Sequence, residues 1–186
     1  MVDSATPAPE SSHLGAELQQ LYADGKHAEI QAQVDSCLPK DEAGNFIAEQ
    51  EKSDVVHDLL AFLAERMLEM NKQKQTEVKG FLGWLEGEVG TKINDLSPKT
   101  KIQRYYNSDF YDFYAVLKKN KNRLSINPIR REKSELLKDE FQKSADKLEP
   151  LREKIKQTDR LIDRVVYKLY GLTEEEIRIV DGVHER

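Results

Sequence analysis

Apolar residues recur along most of this chain at the spacing of one helix face. From Val56 the stripe runs through Leu59, Leu60, Leu63, Met67 and Met70. After a polar gap rich in Lys, Gln and Glu it resumes at Phe81, Leu82, Trp84, Leu85 and Val89. A second stripe starts at Leu137 and Phe141 and continues through Leu148, Leu151, Ile155, Ile162, Val165 and Leu169, with Thr158 on the same line. Steps of three and four predict helices packed face to face. The gap at 71–77 holds helix formers, so one helix is expected to run through it. Pro150 is expected to remove one backbone bond and bend the second helix without ending it.

Punctuation divides the rest. Ser11 or Ser12 would cap a helix from Leu14 to Asp24, stopped by Gly25, and Pro39 would end a second from Lys26 to Leu38. Ser53 would cap the first long helix, and Gly90 would stop it. Thr91 to Asn107 reads as a connector, and Ser108 as the cap of a short aromatic helix reaching Asn120. Pro128 suits the first turn of the second long helix. Gly171 closes that helix, and Thr173 with Glu176 forms a capping box for a last short helix from Glu174 to about Val180. No two-residue alternation is long enough for a strand. The expected fold is all-α: an elongated helical bundle of two long, antiparallel amphipathic helices and a short C-terminal helix. The divisions are a disordered tail at 1–12, short acidic helices at 13–50, a helical module at 51–182 and a tail at 183–186.

Composition supports one reading and excludes several. With 186 residues, 38% hydrophobic, 34% charged, 9 Gly and 6 Pro, the chain suits a helical protein with much exposed surface. A single cysteine, Cys37, rules out an intrachain disulfide and points to a reducing cytoplasm. No membrane span or leader is expected. The net charge of −5 hides an asymmetry. Residues 1–69 hold 14 acidic and 4 basic side chains, a net of −10. Residues 99–133 hold 10 basic and 3 acidic, a net of +7.

That basic zone is the place where function rises above background. Lys99, Lys101, Arg104, Lys118, Lys119, Lys121, Arg123, Arg130, Arg131 and Lys133 alternate with Tyr105, Tyr106, Tyr111 and Tyr114. Cations can neutralise phosphates of DNA, and aromatics can stack on bases or fill a core. Leu151, Ile155, Ile162, Val165 and Leu169 are expected to pack against another helix or a partner. Asp139, Glu140 and Lys143 read as solvated helix surface, and His57-Asp58 as a surface pair. The four histidines lack metal-ligand spacing, so no metal is expected.

Three stretches carry a resemblance: TDRLIDRVVYKLYGLTEEEIRIV from Thr158, KSDVVHDLLAFLAERMLEMNKQKQ from Lys52, and KGFLGWLEGEVGTKINDLSPKTKI from Lys79. They resemble the C-terminal segment of the type IIG-like adenine-N6 DNA methyltransferases of bacterial restriction-modification and phage-defence systems. The resemblance covers roughly Lys52 to Gly182. It implies a helical module placed after the methyltransferase and target-recognition regions, with DNA and a methyltransferase or endonuclease domain or subunit as partners. S-adenosylmethionine would belong to that methyltransferase part. This chain has neither the Gly-rich donor loop nor the Asn/Asp/Ser-Pro-Pro-aromatic stretch that holds the flipped adenine, so it carries no catalytic residue of the family. A protein–protein assembly module is the alternative.

Overall fold

The computed structural model describes residues 9–42 and 44–184, with side chains from His13 to Gly182. The described residues form seven α-helices and no strand: α1 (Pro9–Ala23), α2 (His27–Cys37), α3 (Ser53–Val89), α4 (Lys99–Gln103), α5 (Phe110–Lys119), α6 (Arg131–Leu169) and α7 (Glu174–His184). The chain is all-α, as the two stripes require. The polar gap is helical inside α3, and α6 runs unbroken through the exposed Pro150.

The chain divides into two compact units. The first joins residues 1–68 and 156–186, and the second is 69–155. In the first, Leu18, Tyr22, Ile30 and Val34 of α1 and α2 share a core with Val55, Val56, Leu59 and Leu63 of α3 and with Leu161 and Val165 of α6. Tyr22 Oη and Thr158 Oγ1 hydrogen-bond at 2.8 Å inside it. Ile162 and Leu169 pack on this core only half-buried. Leu161, absent from the expected stripe, is the buried neighbour. Leu151 and Ile155 belong to the second unit, are half-buried and join neither core.

In the second unit Phe81, Leu85 and Val89 of α3 pack with Phe113 and Leu117 of α5 and with Leu137, Phe141 and Leu148 of α6. Glu88 pairs with Lys133, whereas Glu77 meets Ser144 and Lys147. One helix descends in number as the other ascends, so within this unit α3 and α6 are antiparallel.

Helix ends explain several local departures. α1 starts at Pro9, so Ser11 and Ser12 lie inside it; a proline in the first turn has no N–H to satisfy. The cap of α5 is Asp109, whose carboxylate accepts the Asp112 N–H at 2.9 Å, while Ser108 Oγ donates to the Tyr105 carbonyl. α6 begins at Arg131, not at Pro128. The Asn127 side chain accepts from the Ile129 N–H, which closes a turn ahead of the helix. The connector 91–107 contains α4 and two 3-10 turns. At Gly171 the φ of +67° carries a Schellman closure, with the Leu172 N–H on the Tyr167 carbonyl and the Gly171 N–H on that of Lys168. The capping box forms as expected: Thr173 N–H donates to Glu176 Oε2 at 2.8 Å, which draws that carboxyl below its usual range. α7 then extends past Val180 to His184. Of the expected tail at 1–12, residues 1–8 lie outside the described residues, as does the end of the tail at 183–186 beyond His184.

Candidate functional site

The basic zone lies wholly in the second unit, on short elements tied to each other. Asn120, 6% exposed, sits between Lys119 and Lys121. Its amide donates to the carbonyls of Ser97 and Val116, both at 2.8 Å, and its Oδ1 accepts the Ser97 N–H at 3.1 Å. One side chain thereby fixes the segment that opens α4 beside the end of α5. Gly90, with φ +67°, closes α3 under Ser125; a Cβ there would stand 2.3 Å from Ser125 Oγ. Ser125 in turn donates its N–H to the Val89 carbonyl. The Arg123 guanidinium donates to the Asp95 carbonyl.

Replacing Asn120 by Ala would break both bonds to the Ser97 backbone and the buried bond to the Val116 carbonyl. The expected loss is about 2–3 kcal/mol, read by urea denaturation. A variant as stable as the parent would show that the amide does not hold these segments.

The structure sorts the ten cations. Lys133 is engaged by Glu88 at 2.6 Å, Arg131 by Glu135 at 2.7 Å, and Arg123 by the Asp95 carbonyl. Lys118 lies over the Tyr114 ring, 4.8 Å from its centroid. Lys99, Lys101, Arg104, Lys119, Lys121 and Arg130 are exposed and pair with no carboxylate among the described residues. These six are the groups left to meet an external anion.

The aromatics divide in the same way. Tyr105 is fully buried and packs on Phe81 and Phe141. Lys74 and Arg152 each lie over the Tyr106 ring, 5.2 and 5.3 Å from its centroid. Tyr114 is half-buried and donates its hydroxyl to the Pro128 carbonyl at 2.9 Å. Tyr111 is 71% exposed.

Sequence reasoning missed a buried polar chain behind this surface. Tyr105 Oη meets Ser144 Oγ at 2.5 Å, and Ser144 donates to Glu77 Oε1 at 2.8 Å. Since the Ser144 hydrogen goes to Glu77, Tyr105 is the donor of the first bond. Burial, with the nearby Glu77 charge added, pushes the Tyr105 phenol up to about 12. In the unfolded chain it ionises from about pH 10. Above that pH the unfolded state binds fewer protons than the native one, so stability falls as pH rises from 10 to 12. Tyr105→Phe should lack this alkaline fall in a denaturation series against pH. An identical fall in both proteins would count against the assignment.

A cleft opens in each unit. One of about 570 Å3 in the second unit is lined by Glu77, Phe81, Trp84, Ser144 and Lys147. One of about 1140 Å3 in the first unit lies among Asp35, Arg160, Arg164, Tyr167, Ile177 and Arg178. Lys168 there pairs with Asp35, and Tyr167 donates to Asp181 at 2.9 Å, which pushes the Tyr167 phenol up. Cys37 is buried, and burial raises its thiol. Asp139 is exposed on α6, whereas Glu140 is half-buried, lines the second unit's cleft and holds Lys143 at 2.6 Å. Among the described residues no group of three or more His, Cys, Asp or Glu is placed to hold a metal ion, and no helix is long and apolar enough to cross a membrane.

Comparison with family models finds one match, a domain of unknown function (DUF8810), over residues 46–166. The chain belongs to the DUF8810 family. No curated protein and no solved structure matches it. The DUF8810 region contains all ten cations, Asn120 and the Tyr105–Ser144–Glu77 chain. It leaves out α1, α2 and α7.

Proposed function

We propose that this DUF8810 chain is a non-catalytic helical module of a DNA restriction-modification system, which braces the recognition part or a partner chain and touches DNA phosphates. The observation that carries the DNA contact is the set of six exposed, unpaired cations on segments tied together by Asn120 and Ser125. The resemblance of Lys52 to Gly182 to adenine-N6 methyltransferase C-terminal segments supports the wider role. Point charges aimed at phosphates give binding that is independent of sequence and steeply weakened by salt. S-adenosylmethionine and catalysis would lie in the methyltransferase part or subunit. The test is duplex binding by the purified chain across a salt series; an unshifted duplex at about 50 mM salt, where such contacts are strong, would defeat the contact with duplex DNA.

A second reading, protein–protein assembly, is favoured by a separate feature. None of the described side chains of α7 is fully buried, and Tyr170 and Ile179 are 74% and 63% exposed in the same unit. Exposed apolar side chains serve as a partner surface where they join into one contiguous patch. Mass in solution, alone and with a methyltransferase subunit, tests it.

A further inference from the structure

The outer face of α5 combines what a solvated surface does not need. Tyr111, Tyr114 and Lys118 fall at i, i+3 and i+7, and so on one side of the helix. Phe110 lies beneath: it meets Tyr111 edge-on at 5.9 Å and stacks on Tyr114 at 5.3 Å. The Tyr114 hydroxyl is held by the Pro128 carbonyl, and the next residue, Ile129, is 55% exposed. Tyr111 is thus braced from below with its ring open to solvent, and Lys119, Lys121 and Arg130 stand unpaired on the same or adjoining segments. From Tyr111 to Lys118 the helix rises about 10 Å, the length of about three stacked nucleotides.

We infer that this face binds single-stranded nucleic acid in preference to duplex, with Tyr111 stacking on a base while Lys119, Lys121 and Arg130 take the phosphates. The inference rests on the phosphate-contact reading and adds the strand form to it. In a duplex the base faces are covered by their neighbours, so the Tyr111 ring would have no partner and only the cations would act. In a single strand an unstacked base offers its face to an aromatic ring, whatever its identity.

The experiment is fluorescence anisotropy of the full chain with a labelled oligo-dT and a labelled duplex at one low salt concentration. Tyr111→Leu keeps an apolar side chain and removes the ring face; at an exposed site it leaves the fold intact, which a thermal melt confirms. The parent should bind oligo-dT more tightly than duplex. Tyr111→Leu should weaken oligo-dT binding about tenfold and leave duplex binding unchanged, while Tyr111→Phe should bind like the parent. Equal binding of both probes, with Tyr111→Leu moving neither, overturns the inference and leaves the phosphate reading standing; the open ring then belongs to a protein partner. Binding of neither probe by the parent overturns both.

Discussion

Leu161→Asp should cost several kcal/mol of stability, and the same exchange one residue on, at Ile162, should cost a fraction of that. Leu161 is 2% exposed and sits in the first unit's core with Val165 and the α3 residues Val56 and Leu63. Aspartate there forfeits the burial of a leucine, about 2–3 kcal/mol, and places a carboxylate where no partner waits. Ile162 is half-buried at the rim, so its replacement can turn to water. At roughly 2–4 °C per kcal/mol for a chain of this size, Leu161→Asp should lower the melting temperature by about 10 °C or more. The two variants melting alike would mean that the core is not centred on Leu161.

The second large effect concerns salt. Changing Lys99, Lys101, Lys119 and Lys121 together to Gln should reduce the slope of log affinity against log salt by up to about 3.6, at roughly 0.9 per phosphate contact on duplex DNA. A control follows from the structure. Arg123, Arg131 and Lys133 already serve an intramolecular carbonyl or carboxylate, so their joint replacement by Gln should change the slope far less. Each single replacement is worth under one unit, which is why the group is changed at once. Equal slopes for the parent and the fourfold variant would return these lysines to plain surface.

The helices were legible because a stripe at 3.6-residue spacing is written into one segment at a time. The Gly171 closure and the Thr173–Glu176 box were legible for the same reason: each needs only residues within one turn. What sequence could not supply was long-range. The expected α6 line ran through Ile162 because it assumed one facing helix. Thr158, on that line, is buried under Tyr22 of α1, and Leu161, off it, is buried in the same core because α1 and α2 add to the surface that α3 offers. Asn120 gave no signal, since its partners are backbone atoms of Ser97. Nor could sequence separate used from unused cations. Lys133 is engaged by Glu88, 45 residues earlier.

The first unit's core makes the acidic leading helices α1 and α2 part of the fold rather than an appendage to it. Leu18, Tyr22, Ile30, Val34, Cys37 and Leu38 all precede the family boundary at Phe46, yet they cover Val55, Val56, Leu59, Leu63, Leu161 and Val165. Trimming the chain to its family boundaries would uncover that apolar surface and favour aggregation over folding. A relative that keeps the matched region but lacks these two leading helices must cover the same surface with a different segment or another subunit. An expression clone of this chain therefore has to keep α1 and α2, which complete the first unit's core.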